Sequence, residues 1–325
     1  MRNPLVTIAI PTYNRADSYL KHTLECAINQ TYENIEILVS DNCSTDHTEE
    51  LVKSYRDQRI TYFKQKTNLG QRGNSNFLLD QANGEYFHMF HDDDSIDPDF
   101  IEICMEKAKY RTGLGIIMSG SRMIDENNHT IQENRNETEG LSLEEFILSW
   151  YEYKMNIFLC CTLFGTSTLK EIGGFEEKYN RYDDVAANWK CTREAGRVDV
   201  PDVKAGLRSH SGSVTSTTDI EMWSRDALTL LDLAFKLAPG KVKEIQNIGM
   251  RQSAKNMYIF ASEEESKLKR IKSFWKIYSL FGYKFLPPFK HCNEIVPMTG
   301  YVLHPYHGMS KLKSVLQKNL TQQSR

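Results

Sequence analysis

Residues 85–100 read Glu85-Tyr86-Phe87-His88-Met89-Phe90-His91-Asp92-Asp93-Asp94-Ser95-Ile96-Asp97-Pro98-Asp99-Phe100. An apolar, aromatic run ends in three adjacent carboxylates. Such a run reads as a buried strand, and Pro98 marks a turn or helix start with Asp97 as its natural N-cap. The expected geometry is strand, acidic knuckle, helix. Neighbouring carboxylates repel one another, so holding three at a strand end costs stability unless a cation sits among them. All-oxygen ligands suit a hard divalent ion such as magnesium or manganese. An EF-hand fits poorly, because Ile96 and Asp97 stand where that loop needs its third acid and its glycine. The plain alternative is a solvated acidic loop that caps a helix.

Upstream of this knuckle, strand-like and helix-like stretches alternate. Val6-Thr7-Ile8-Ala9-Ile10 is a near-continuous apolar run, as in a sheet buried on both faces. Pro11-Thr12-Tyr13-Asn14-Arg15 follows as a turn, and 18–30 has helical spacing. Ile35 to Val39 is a second strand, ending at Ser40-Asp41-Asn42-Cys43-Ser44-Thr45-Asp46, where Asp46 or Thr45 can cap a helix to about Tyr55. Ile60 to Lys64 is a short third strand. Gly73 to Ala82 is a helix that Gly84 stops before the strand into Asp92. These are βαβ intervals, and in open α/β sheets ligands bind at the carboxyl ends of strands. Those ends carry Tyr13, Asp41 and the acid cluster.

The runs VTIAIPTYN (6–14) and EILVSDNCSTD (36–46), then Asn83-Gly84-Glu85-Tyr86 and the acid cluster, resemble the family 2 glycosyltransferases over about residues 4–215. The resemblance implies an α/β, GT-A-like mixed, mostly parallel sheet flanked by helices. It implies an inverting enzyme with a nucleotide-sugar donor, UDP-sugar by default, and manganese or magnesium as cofactor. Pro11 and Tyr13 then flank the base, and Asp41 bonds the base or ribose; an Asx turn is the ordinary alternative for Asp41. Asp93 falls on the metal-ligand position and Asp92 just before it, near the ribose. Asp94 either ligates or supports. His91 stands where the family often has its first Asp. Arg72 is within reach of a phosphate, although a surface arginine is the ordinary reading.

Further on, Leu141 to Tyr153 reads as a helix with a Ser142–Glu145 capping box, after a polar, loop-like stretch from Arg122 to Glu139. Cys160 and Cys161 sit in an apolar run with no acid or base beside them, which predicts inert buried thiols. Gly173-Gly174-Phe175 followed by Asp183-Asp184 resembles the family's GGF motif and the acidic pair opening the next helix. By that resemblance Asp184 is the catalytic base, with Asp183 orienting it or capping the helix. Arg208-Ser209-His210-Ser211-Gly212-Ser213 matches a motif of part of the family. By that resemblance the His210 imidazole is a metal ligand or a diphosphate contact, and a surface-loop histidine is the ordinary alternative.

Composition sets bounds. The chain has 325 residues, 40% hydrophobic and 26% charged, with no run near the roughly 18 apolar residues a membrane span needs. Seven scattered cysteines with no CxxC pair argue for reduced thiols in a cytoplasmic setting. From Ser266 to the end there are 11 Lys or Arg and one acid, against 29 basic and 42 acidic residues before it. The C-terminal part is periodic and helical. Leu268, Ile271, Trp275 and Tyr278 read as one face of a helix with Lys269, Lys272 and Lys276 around it, a basic amphipathic pattern suited to peripheral membrane contact or to packing. Ser310 to Leu320 reads as a last short helix.

The expected organisation is a catalytic domain over 1–218 and a helical, basic C-terminal region over 219–325. The expected reaction moves a hexosyl or related sugar to a glycan or lipid-linked glycan in bacterial surface polysaccharide or lipopolysaccharide synthesis. It takes place in the cytoplasm or at the inner face of the plasma membrane, with no nucleic acid partner. The rivals are a nucleotidyltransferase, which would want a glycine-rich phosphate loop that PTYNR does not supply, and a non-catalytic nucleotide-sugar-binding protein.

Overall fold

The computed structural model describes residues 3–210, 219–264 and 266–287. It opens with parallel strands β1 (Val6–Thr12) and β2 (Ile35–Asp41), with β3 (Ile60–Lys64) beyond β2 and β4 (Tyr86–Met89) on the other side of β1. All seven residues of β1 are buried, which is why its sequence shows no alternation. Helices α1 (Leu20–Ile28), α2 (Thr48–Ser54) and α3 (Gly70–Gln81) make the crossovers. Pro11 lies inside β1 without breaking the ladder. The pairing of β1 with β4 ends at Ala9 opposite Met89, so the missing N–H of Pro11 has no strand to serve.

After β4 come β5 (Ser95–Ile96), α4 (Phe100–Lys107), β6 (Ile116–Ile124), β7 (Thr130–Asn134) and α5 (Leu143–Tyr151). Then follow β8 (Thr162–Gly165), α6 (Thr166–Glu171), α7 (Asp183–Ala195) and β9 (Arg197–Arg208). The nine strands form one mixed sheet in the order β3-β2-β1-β4-β8-β6-β9-β5, with β7 on β6. β8 runs antiparallel to both β4 and β6, and β9 returns parallel to β6. Gly84 precedes β4 and lies against β1, where a Cβ would meet the Thr7 backbone nitrogen at 2.6 Å, so a larger residue would push the chain away from β1.

Several local expectations hold. Ser142 caps α5 in a capping box with Glu145. Asp46 Oδ1 accepts the Thr48 N–H at 3.1 Å at the start of α2. Cys160 and Cys161 are buried, and burial pushes both thiols up, Cys161 to about 11. Others do not hold. The polar stretch 122–139 is no simple loop, because β6 extends to Ile124 and turns into β7. Asp97 does not cap α4 with its side chain. Its Oδ1 pairs with Arg122 at 2.5 Å, which a salt bridge to a neighbouring strand favours over a backbone N–H.

Helices α8 (Ile220–Leu237), α9 (Val242–Ser262) and α10 (Lys267–Leu280) follow. Two compact units result. One takes the chain through Thr217 together with Asp226–Gly249, and the other takes Thr218–Arg225 with the chain from Met250. Within the second unit Trp223 meets Phe260 edge-on at 4.4 Å, Tyr258 meets Phe274 at 5.3 Å, and Lys276 pairs with Glu221 at 2.8 Å. α10 buries Phe274, Ile277 and Tyr278, whereas Leu268 is 55% exposed. The apolar stripe is therefore rotated from the one expected through Leu268 and Ile271. The i, i+3, i+4 set of Phe274, Ile277 and Tyr278 carries more aromatic area into the core. The helix expected at 310–320 lies outside the described residues.

Candidate active site

The site forms beyond the carboxyl ends of β1, β2 and β4. Buried Pro11 leads to Tyr13, which is 46% exposed. Asn14 adopts φ 52°, a left-handed turn that Asn tolerates. Its backbone N–H donates to Ser44 Oγ and its Oδ1 accepts the Thr45 N–H, both at 2.8 Å, so the loops after β1 and β2 are tied together. Asp41 is fully buried. Its Oδ1 accepts the Ser44 N–H at 2.7 Å and its Oδ2 accepts the Tyr62 hydroxyl at 2.6 Å. The Asx turn is present, and each oxygen keeps a second lone pair.

The acid knuckle follows β4. Asp92 is buried near Arg15, with Nε to Oδ1 at 3.9 Å, and burial followed by the Asp93 charge raises its carboxyl to about 6. Asp94 is raised well above the ordinary carboxylate range by the same two causes in the same order. These acids are held at a cost that a bound cation would offset. Ligand atoms of His91, Asp93 and Asp94 all lie within 4.8 Å of one another. One imidazole and two carboxylates at that spacing fit a divalent ion of the manganese type. His91 is the member that sequence reading misses; the signal is its place at the family's first-acid position. His210 also reaches the knuckle, its Nε2 2.9 Å from Asp93 Oδ2. Asp92 is not part of the three-residue cluster. Residues 211–213 of the motif after Arg208 lie outside the described residues.

Arg208, a buried arginine at the end of β9, opens the motif around His210, and its own role does not follow from the sequence. Its backbone N–H donates to Asp94 Oδ1 at 3.1 Å and its Nε to the Asp93 carbonyl at 2.7 Å. Nη1 donates to the Asp125 carbonyl at 2.8 Å and Nη2 to Asn128 Oδ1 at 2.5 Å, both in the β6–β7 turn. The guanidinium stacks over Tyr19 at 4.4 Å. One side chain thus clamps the knuckle to the end of the sheet. A planar fork with five donors does this, and a lysine would not.

The second group of acids opens α7. Gly174 before it has φ +67°, and a Cβ there would lie 2.6 Å from Asn76 Oδ1. Asn76 of α3 holds this turn from both sides, donating to the Phe175 carbonyl and accepting the Phe175 N–H, each at 3.0 Å. Asp183 Oδ2 accepts Arg72 Nε at 3.1 Å, and its Oδ1 accepts the Asp184 N–H at 2.9 Å. Asp184 Oδ1 accepts the Val185 N–H at 2.7 Å. Burial and then the Asp183 charge raise Asp184 to about 8, and burial raises Asp183 against the pull of Arg72. His91 of the knuckle also acts electrostatically on Asp183, as the least of the causes that bear on that carboxyl. Arg72, a candidate phosphate contact from sequence, is engaged here with the acid pair.

Known proteins bear on this arrangement. An uncharacterized glycosyltransferase of Rickettsia typhi is 28% identical over 325 residues, covering 98% of each chain. The Staphylococcus aureus TarS 1-349 structure with UDP-GlcNAc superposes with a TM-score of 0.62 at 18% identity, covering 85% of this chain and 81% of that one. A mannosyltransferase of Pyrobaculum calidifontis, solved with GDP-Man and Mn2+, gives a TM-score of 0.56 at 16% identity and 86% coverage of each. At those identities the likeness shows the fold, the GT-A arrangement of sheet and helices. The sequence profile of glycosyl transferase family 2 matches residues 7–173, just over half of the chain, from β1 to the first glycine of the GGF turn. The chain belongs to the family 2 glycosyltransferases.

Proposed function

We propose that the protein is an inverting glycosyltransferase that moves a sugar from a nucleoside-diphosphate donor to an acceptor hydroxyl, with Asp184 as general base. The observations that support this reading are a His91, Asp93 and Asp94 group with metal-ligand spacing after β4 and a buried acid pair opening α7 whose Asp184 carboxyl is raised to about 8. A base works best with a pKa near the operating pH, and a buried carboxyl beside a like charge has been moved there. Asp183 has a partner role, bonded to Arg72 and to the Asp184 backbone.

Donor recognition is assigned to Pro11, Tyr13, Asp41 and Asp92. Tyr13 is exposed and offers a ring to a base, and Asp41 has spare lone pairs beside it. His91, Asp93 and Asp94 would hold manganese or magnesium, with His210 steadying Asp93. Such an ion neutralises charge on a leaving diphosphate. A UDP-sugar is the default donor, and a glycan or lipid-linked glycan is the acceptor class implied by the family. Melting temperatures with a panel of nucleotide sugars, with and without manganese, test this: one donor should raise the midpoint, and only with metal. Release of nucleoside diphosphate from that donor separates a transferase from a binding protein. A panel with no metal-dependent shift counts against the whole reading.

Work at the inner face of the plasma membrane is part of the same proposal. No helix among the described residues is long and apolar enough to cross a membrane. Residues 266–287 carry six Lys or Arg and no acid, and Lys267, Lys269 and Lys272 are exposed. Lys276 is engaged with Glu221, so it is left out of the test. Replacing Lys267, Lys269 and Lys272 with Glu should weaken binding to phosphatidylserine vesicles by about tenfold or more, at about 1 kcal/mol per charge. Equal co-sedimentation of wild type and variant leaves α10 as a packing element only.

A further inference from the structure

Arg72 lies in the first turn of α3, between the Asp183 carboxylate of α7 and the Asn180 side-chain amide. Its Nε donates to Asp183 Oδ2 at 3.1 Å, and its Nη2 donates to Asn180 Oδ1 at 3.2 Å. Asn180 in turn donates through Nδ2 to Asp226 Oδ2 at 2.9 Å. Asp226 is a buried residue of α8, well beyond the residues that the family profile matches. Asn180 has φ 43° and ψ −98°, outside the regions a residue with a side chain ordinarily occupies. Such a conformation persists only where its surroundings over-determine it. Here the Arg72 and Asp226 hydrogen bonds hold it from two sides.

This chain of contacts reaches the acid pair at one end only. Asp183 has both oxygens engaged, one by Arg72 and one by the Asp184 N–H. Asp184 has one oxygen on the Val185 N–H, and the other has no partner among the described residues. Adjacent residues on a helix point about 100° apart, so the two carboxyls cannot share a direction. We propose that Arg72 is a positioning residue: anchored by Asn180 and, through it, by Asp226, it fixes the Asp183 carboxylate and leaves Asp184 as the carboxyl available to the acceptor hydroxyl. The role rests on Asp184 being the base. It differs from a phosphate contact, in which Arg72 would act on the donor.

A double-mutant cycle separates the two roles. Arg72→Met, Asp183→Asn and the combined variant are compared as full-length protein in kcat and in donor KM. Arg72→Met should lower kcat about tenfold and leave donor KM within about twofold, while adding no more than about threefold to the loss from Asp183→Asn, since partners in one network are not additive. Arg72→Lys should recover part of kcat by keeping the charge without the fork. Asn180→Gly, which tolerates the positive φ, should lose kcat in the same direction but less; an unchanged kcat there removes Asp226 from the proposal. Losses that multiply, or a raised donor KM at unchanged kcat, overturn it and put Arg72 on the donor. The same cycle read in melting temperature needs no donor. Additive shifts there overturn the pairing even when Asp184→Asn is inactive. Non-additive shifts together with an active Asp184→Asn leave the pairing intact and overturn only the base assignment.

Discussion

Asp184→Asn should bind the donor with near-native affinity and transfer sugar at least about a hundredfold more slowly, because loss of a general base costs about 10²–10⁴ in rate. Asn keeps the shape and an oxygen for the Val185 N–H but cannot take the acceptor proton. The pH profile sharpens the test. Asp184 must be deprotonated to act, and burial and the Asp183 charge hold it at about 8. Wild-type kcat/KM for the acceptor should therefore fall as pH drops below about 8. Asp183→Asn removes the like charge, so the fall should move to lower pH, with a milder loss of rate. In Asp184→Asn this limb should vanish. Normal turnover by Asp184→Asn with the true acceptor would place the base elsewhere.

Asp93→Ala should abolish metal-dependent stabilisation by a nucleoside diphosphate while the fold survives without metal. A ligand at a hundred times its Kd stabilises by about 2.7 kcal/mol, which in a domain of this size moves the midpoint by about 5–10 °C. The variant should show none of that shift. Its metal-free stability has a sign that can be worked out. Asp92 is raised from 3.8 to about 6, with Asp93 as the second cause after burial. The folded form thus keeps a proton that the unfolded chain gives up, and wild-type stability falls as pH rises through that interval. Removing Asp93 lowers the Asp92 and Asp94 carboxyls, so the fall should be shallower in the variant. Melting curves from pH 4 to 8, with and without manganese, read both effects. A variant that keeps the full metal-dependent shift removes Asp93 from the ligand set.

How much of this was legible in the sequence varies by element. β1 and β2 were, because parallel strands covered on both faces must be apolar throughout. The acid knuckle was, because three like charges directly after a buried run stand out against the apolar pattern and repel one another unless a cation or solvent separates them. β7 was not: among the described residues Thr130–Asn134 pairs with β6 alone, and four of its five residues are exposed, so it carries no apolar pattern. β9 has a broken pattern because it pairs with β6 through register shifts on one side and with β5 on the other. The burial stripe of α10 was read in part: Tyr278 is buried as expected, but three-dimensional packing chose Phe274 and Ile277 over Leu268. His91, Arg208 and the bond between Arg72 and Asp183 are long-range matters. The last joins residues 111 apart, and no local spacing announces it.

The Arg208 clamp also bears on the order in which the protein is made. The Asp93 carbonyl and the Arg208 guanidinium that holds it are 115 residues apart in sequence. At about 5–20 residues per second, the ribosome needs on the order of ten seconds to supply the arginine after the acids have been made. In that interval the parallel strands β1 to β4 have been made, whereas β8, which covers the open side of β4, comes later. The loops after β1 and β2 can therefore take shape while the knuckle has neither its arginine nor a closed sheet around it. Completion of β9 then fastens the knuckle in one late step, after the strands that carry Pro11, Asp41 and the acids themselves have been made.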